Sequence, residues 1–423
     1  MGSSSIQAER RRRVEEAFAS LPERYLGADP QFDATFQVRL GDVGRTWEVR
    51  ARGDRCEVRP SPVREPDAVI GSDASTWLAL REGRLSGLDA FAQRRLSARG
   101  NLDLALGFEG LFRLPGDRPP LLRVHDARVR GATISSLTSG DGPEHVLCLH
   151  GLGSSKASFF ETVAALTPDY TVHAIDLPGF GSSSKPALGG YDARFFARAA
   201  SGYLDVMGIE EAHLVGNSMG GRIALELALT APAGVRSVSL LSPALAFLRR
   251  RELVPLVKLI RPEFAAIPHP LRTARVREHF WRLFARPDRL DPEVADIAAN
   301  EFCRIYRSRS ARIAFFAALR NIYLDAPHGE RGLWTRMSGL RTPALFIWGD
   351  SDRLVPQAFS RHVATQVPAA SQVVLPDCGH VPQVELPERT NCLIREHIEA
   401  ASAAAPIPRT PGAAAVRLGG ASL

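Results

Sequence analysis

The segment Gly216-Asn217-Ser218-Met219-Gly220 follows the apolar run HLV and precedes the helical stretch GRIALELAL. A serine between glycines at such a junction reads as a tight strand-to-helix turn, because small neighbours let strand and helix approach closely. The turn also sets the serine oxygen at a helix N-terminus, where backbone N–H groups stabilise negative charge. A hydroxyl is a poor nucleophile until a base removes its proton, and an acid must orient that base. Both partners stand further along the chain. The run PALFIWGDSDRLVP offers Asp350 and Asp352 where an apolar strand ends, and QVVLPDCGHVPQVELPE offers His380 after the next one. The spacing leaves room for an inserted region between Ser218 and the aspartates, and for one helix between aspartate and histidine. A serine, a carboxylate and an imidazole in that order imply acyl transfer to water through an acyl-enzyme.

Such groups need strand ends to hold them. Short apolar runs at HVLCLHG, TVHAIDLPG, AHLVGNSMGG, SVSLLSPA, ALFIWGD and QVVLP alternate with helical stretches. That rhythm predicts an α/β architecture with a mostly parallel sheet buried on both faces. Residues 246–335 break the rhythm, being helical in pattern and rich in Arg, Phe and Leu, and read as a helical cap. Before the proline- and glycine-rich segment LPGDRPPLLR the pattern differs. A helix over Glu9–Leu21, antiparallel strands at FQVRL, TWEVRAR and RCEVRP, and then short helices predict a smaller α+β layer. The expected organisation is a domain over 1–114, a second over 115–400, and an Ala/Pro/Gly-rich disordered tail over 401–423.

Composition limits the partners. The 423 residues are 45% hydrophobic and 23% charged, which fits a globular chain. The net charge of +7 comes from 53 basic residues, all arginine except Lys156, Lys185 and Lys258. Acidic residues are interleaved with them, so no nucleic-acid footprint is expected and at most a peripheral membrane contact. No apolar run reaches the ~18 residues of a membrane span. The start, MGSSSIQAERRRR, has no apolar segment after its charges and is not read as a secretory signal. Five cysteines, with no zinc or redox spacing among them, point to a reducing, cytoplasmic setting without a disulfide framework.

From about residue 121 to 400 the chain resembles an α/β-hydrolase-fold enzyme with a cap. The resemblance rests on HGLGSS at 150–155, DLPGFGSSSKP at 176–186, GNSMGG at 216–221, WGDSDRLVP at 348–356 and GHVPQVELPE at 379–388. It implies Ser218 as nucleophile, His380 as general base and Asp352 as the acid, with Asp350 the second candidate. It further implies an oxyanion hole from the backbone N–H groups of Leu152 and Met219, and no metal or organic cofactor. A serine at the turn sets the chain apart from the epoxide hydrolases and haloalkane dehalogenases of this fold, which use a carboxylate. GNSMGG is also the form seen in carbon–carbon hydrolases of aromatic ring fission. Those enzymes usually carry an aromatic residue after the catalytic histidine, and Val381 stands there in this sequence. Residues from about 10 to 114, with AFASLPERY and the stretch from SDASTWLALREGRL to LALGFEGLF, resemble a sterol carrier protein type 2 domain. That resemblance implies a mixed sheet covered by helices around an apolar tunnel for lipids.

Other polar residues have plainer readings. His150 shapes the oxyanion turn, His173 and His213 are satisfied strand histidines, and Asp176 ties down a loop. Asp377 shares a turn with His380 and is a weak acid candidate. The cap aromatics Phe280, Trp281, Phe284, Phe315 and Phe316 are mostly core. Together these features predict hydrolysis of a small apolar ester or thioester. The alternatives are a carbon–carbon hydrolase of ring-fission diketones, and a lipid-binding protein on a non-catalytic hydrolase scaffold.

Overall fold

The computed structural model describes residues 3–30, 32–167, 169–187, 189–247, 253–266 and 272–404. Packing divides the chain into two units. One takes Met1–Val124 with Thr138–Gly140, and the other takes His125–Leu137 and the residues from Asp141 onward.

In the first unit, α1 (Ser3–Ala19) and α2 (Leu21–Arg24) precede β1 (Asp33–Leu40), β2 (Arg45–Arg52) and β3 (Arg55–Arg59). Strict alternation buries Ala34, Phe36, Val38 and Leu40 on one face of β1, and Trp47, Val49 and Ala51 on β2. Both strand pairs are antiparallel, as the alternation predicts. Two further strands, β4 (Ala68–Ser72) and β5 (Leu96–Gly100), escaped the sequence reading and complete a sheet of order β3-β2-β1-β4-β5. β4 runs parallel to β1, so its pairing closes over a long loop and leaves no local turn signal. β5 takes its extended form from antiparallel pairing with β4.

The helices α3 (Ala74–Arg81), α4 (Gly87–Ala92) and α5 (Leu102–Gly107) each begin at a side-chain cap. Asp73, Ser86 and Asn101 accept hydrogen bonds from the amides of Thr76, Asp89 and Leu104. Phe18 of α1 lies between the indoles of Trp47 and Trp77, with ring centroids 4.1 and 4.5 Å away.

A second, eight-stranded sheet has the order β13-β12-β11-β10-β8-β9-β7-β6. Its strands are β6 (Leu122–Val129), β7 (Ala132–Ser139), β8 (His145–Leu149), β9 (Thr171–Ile175), β10 (Ala212–Asn217), β11 (Val235–Leu241), β12 (Ala344–Gly349) and β13 (Ser371–Leu375). The six runs singled out in the sequence are β8 to β13, and they pair in parallel. β6 and β7 are additions at one edge, where arginine, serine and threonine blur the apolar alternation. Between the strands lie α6 (Phe160–Leu166), α7 (Ala193–Val206) and α8 (Met219–Thr230). Between β11 and β12 lie α9 (Val254–Leu259), α10 (Thr273–Trp281), α11 (Pro292–Tyr306), α12 (Arg309–Leu324) and α13 (Leu333–Met337). α14 (Phe359–Gln366) separates β12 from β13, and α15 (Pro382–Glu385) and α16 (Pro387–Ala403) follow. The segment expected to be a disordered tail from 401 is therefore helical through Ala403, and 405–423 lie outside the described residues. All five cysteines are free, and no helix among the described residues is long and apolar enough to cross a membrane.

A buried ion pair ties the loop after β8 to the end of β9. The Lys156 ammonium lies 2.7 Å from the Asp176 carboxylate, with both side chains fully buried. Asp176 also accepts from the amides of Lys156 and Ser182, at 2.7 and 2.9 Å. Burial drives the Asp176 carboxyl upward, but the Lys156 charge, the nearby His150 and the Lys156 hydrogen bonds outweigh it and hold it below the ordinary aspartate range.

Two stability predictions follow from this packing. Phe18→Ala leaves a void between two indoles and should cost about 3–5 kcal/mol, read as a shifted urea midpoint by tryptophan fluorescence. Lys156→Met strands a buried carboxylate and should cost about 3–5 kcal/mol, most of it recovered in the Lys156→Met/Asp176→Asn double variant. Without Lys156 the Asp176 carboxyl is pushed up, so the single variant's deficit should be smaller at pH 4 than at pH 8.

Candidate active site

The four segments that carry the predicted chemistry leave the carboxyl ends of parallel strands, the edge at which open α/β sheets place their sites. Ser218 follows β10, the segment from His150 follows β8, Asp352 follows β12 and His380 follows β13.

Ser218 has φ 53° and ψ −113°, a conformation that a residue with a side chain adopts only under constraint. The flanking glycines make that turn possible. A Cβ on Gly220 would overlap the Leu149 carbonyl, and one on Gly216 would overlap the Gly220 carbonyl. The Ser218 amide donates to the Leu241 carbonyl at 2.9 Å, and the Ser218 carbonyl accepts from Ala244 at 2.9 Å. Its half-buried side chain stands at the start of α8.

The structure places Asp352, not Asp350, on His380. His380 Nδ1 lies 2.8 Å from Asp352 Oδ2, and the two side chains are 7% and 1% exposed. Asp352 Oδ1 is occupied by the amides of Leu354 and Val355 at 2.8 and 2.9 Å. Burial opposes the Asp352 charge, yet the His380 hydrogen bond, its charge and the two amides hold the carboxyl below its ordinary range. With Nδ1 donating to that carboxylate, His380 Nε2 is the nitrogen left to accept a proton. Asp350 is exposed, and accepts from the Ser351 hydroxyl at 2.8 Å and the Cys378 amide at 3.4 Å. Asp377 is also exposed and pairs with Arg289 at 3.4 Å.

Three residues outside the predicted site set position it. Asn217 Nδ2 donates to the carbonyls of Leu241 and His380 at 3.1 and 3.0 Å, joining the serine turn to the histidine loop. Glu385 accepts from the Gly379 and Arg286 amides at 2.6 and 2.7 Å. The His380 amide donates to the Leu283 carbonyl at 2.7 Å, so the histidine loop is also bound to the segment after α10. Asn217 stood within the serine motif, but nothing local marks the distant carbonyls it reaches.

The oxyanion candidates are also placed. Gly151 sits beside Ser218, since a Cβ there would lie 3.4 Å from Ser218 Cβ. Among the described residues, neither the Leu152 nor the Met219 amide donates to a carbonyl of a turn or loop. His150 is fully buried, with Nδ1 donating to the Gly151 carbonyl at 2.8 Å and Nε2 accepting from the Leu177 amide at 3.0 Å. Burial lowers its proton affinity, so it shapes the turn as a neutral ring. His173 bonds His145 and the Tyr203 hydroxyl, and His213 bonds Ser237, which satisfies both. Of the cap aromatics, Phe284 is buried, Phe316 is exposed, and Phe315 with Phe302 overlies the Gly153 turn. Among the described residues no cluster of three His, Cys, Asp or Glu side chains is set to ligate a metal.

Comparison with known proteins identifies the families to which the two regions are similar. The family model for the alpha/beta hydrolase fold matches residues 144–387, and that of the SCP-2 sterol transfer family matches residues 26–113. The chain is 31% identical over 287 residues to the dihydrolipoyllysine-residue acetyltransferase component of the acetoin cleaving system of Cupriavidus necator, covering 64% of this chain and 68% of that protein. It is 28% identical over 281 residues to a 2-hydroxy-6-oxononadienedioate/2-hydroxy-6-oxononatrienedioate hydrolase of Paraburkholderia phymatum, covering 62% and 88%. Among solved structures, a bacterial membrane phospholipase A superposes with a TM-score of 0.56 at 28% identity, covering 67% of this chain and 88% of that one. With its strand-end serine, carboxylate-bound histidine and inserted helices, the chain belongs to the alpha/beta hydrolase fold family, carrying an SCP-2 domain before the hydrolase region.

Proposed function

We propose that the chain is a serine hydrolase of a carboxylic ester or thioester with an apolar acyl or alcohol part. The observation that carries this reading is the 2.8 Å bond from His380 Nδ1 to a buried Asp352, on a loop that Asn217 fastens to the strained Ser218 turn. In the proposed reaction Ser218 Oγ attacks the substrate carbonyl as His380 Nε2 takes its proton. The oxygen that gains charge is received by the Leu152 and Met219 amides, aided by the N-terminus of α8. The same imidazole returns the proton to the departing alcohol or thiol, leaving an acyl-Ser218. Water, deprotonated by His380, then releases the acid and restores the serine. Asp352 keeps the imidazole in one tautomer and stabilises its charged form without taking the proton.

The apolar preference is supported by Phe302, Phe315 and Leu152, which are part-buried beside the oxyanion turn. An SCP-2 domain on the same chain would raise the local concentration of an apolar substrate. The cysteine usage supports a reducing, cytoplasmic setting.

A carbon–carbon hydrolase is the second reading, favoured by the similarity to the Paraburkholderia phymatum enzyme. Val381 in place of an aromatic residue after the histidine weighs against it.

Hydrolysis of nitrophenyl esters from acetyl to palmitoyl tests the proposal. Ser218→Ala should lower kcat/KM by several orders of magnitude, and Asp352→Asn by about 10³–10⁴-fold. Asp350→Asn should stay within about threefold, since that carboxylate lies off the histidine. Turnover of a ring-fission diketone with none of any ester would select the second reading. Failure of Ser218 to react with a fluorophosphonate, with no turnover of either class, would leave only a lipid-binding scaffold.

A further inference from the structure

The inserted helices carry an apolar surface that the proposed chemistry does not use. After α9 the chain makes a single further turn, Pro262–Ala266, and both pieces lie against α12 as a strap. Two arginines of α12 fasten the strap by its backbone. Arg320 Nη2 and Nε donate to the carbonyls of Lys258 and Val257 at 2.8 and 3.2 Å, and Arg312 Nε donates to the Ala265 carbonyl at 2.9 Å. With those carbonyls engaged toward α12, the large side chains of the strap project into solvent. Leu256, Leu259, Ile260 and Phe264 are 60%, 75%, 53% and 68% exposed. Phe316 stands one helical turn from each arginine, so it lies between the two anchors on the same face of α12. It too is exposed, as is Leu319 beside it. Single exposed apolar residues are ordinary, but a cluster of this size marks a surface that is covered in use.

The charge around the cluster says what covers it. Residues 249–264 hold five basic residues against two acidic ones, a net charge of +3. Lys258 and Arg261 are exposed among the apolar side chains, with Glu263 the acid nearest them in the chain. The run Arg249 to Arg251 lies outside the described residues and contributes its charge by sequence alone. We propose that the strap and Phe316 form a docking surface for an anionic lipid bilayer. The leucines, Ile260 and the two phenylalanines would enter the boundary between head groups and acyl chains, while Lys258 and Arg261 meet the phosphates. A second copy of the chain fits this surface less well, because a two-fold contact sets each cation against its own equivalent. A soluble protein partner fits less well too, since the centres of such interfaces are depleted in lysine.

The proposal stands on exposure and charge, apart from the triad, and its test needs no turnover of a lipid. The full chain is sedimented with vesicles of phosphatidylcholine alone and with 30% phosphatidylglycerol, at 50 and 500 mM NaCl. The anionic vesicles should bind at least about tenfold more tightly at low salt, and that advantage should shrink at high salt. Leu256→Ser/Phe264→Ser should lose binding at least about tenfold while keeping the thermal midpoint and the rate on nitrophenyl acetate. Lys258→Glu/Arg261→Glu should bring the two vesicle types within about threefold of each other. Ser218→Ala should sediment as the wild type does, which separates docking from hydrolysis. Failure of the wild type to bind either vesicle overturns the proposal, as does equal binding by the wild type and Leu256→Ser/Phe264→Ser. A dimer in light scattering that the same pair of substitutions disrupts, without vesicle binding, would assign the surface to a second copy instead. Should the double variant not fold, Leu259→Asp places a charge at the most exposed position of the strap, and undiminished binding by it is equally fatal.

Discussion

The backbone of Ser218 is held at φ 53°, and the arrangement around it serves to keep it there. A strained residue persists only when its surroundings over-determine it. Here the amide and carbonyl of Ser218 are both engaged across β11, while glycines on either side let α8 close onto β8 and β10. The result is a hydroxyl raised at the edge of a parallel sheet, above a helix N-terminus. Every other candidate residue is useful only relative to that fixed point. Asn217, one residue earlier, uses its side chain to carry the same rigidity to His380.

Buried charge takes up much of the remaining positioning, and it does so in closed groups. Lys156 and Asp176 pair the loop after β8 with the end of β9. Glu226 on α8, fully buried, is surrounded by Arg222, Arg336 and Arg194, and Arg222 reaches on to Asp325 at the end of α12. The serine helix is thereby joined to the inserted helices by charge-assisted hydrogen bonds, which fix direction as well as distance. Such networks are expensive to bury and costly to break, so their value is geometric more than energetic. The first unit departs from this pattern. Its core is aromatic and aliphatic around Phe18, Trp47 and Trp77, and the deeply buried guanidinium of Arg81 is left with an open edge.

Much of this was legible in the residues themselves. A serine between glycines at a strand-to-helix junction, and an aspartate and a histidine after later strands, are local patterns set by backbone sterics and strand periodicity. The same holds for the hairpins of β1 to β3 and for the short helices after them. These features depend on neighbours within a few positions, so one sequence suffices to read them. What stayed hidden depends on distance. β4 and β5 are short and exist because a remote strand pairs with them, and β6 and β7 lack the clean alternation that would announce them. The choice between Asp350 and Asp352 turns on where a two-residue difference points each carboxylate, which only the packed loops decide. The bonds of Asn217 and Glu385, the Lys156–Asp176 pair and the unpaired edge of Arg81 join residues far apart in the chain. No spacing rule encodes such partners, because they are selected by tertiary packing, where each buried polar group must be satisfied by whatever the fold brings within reach.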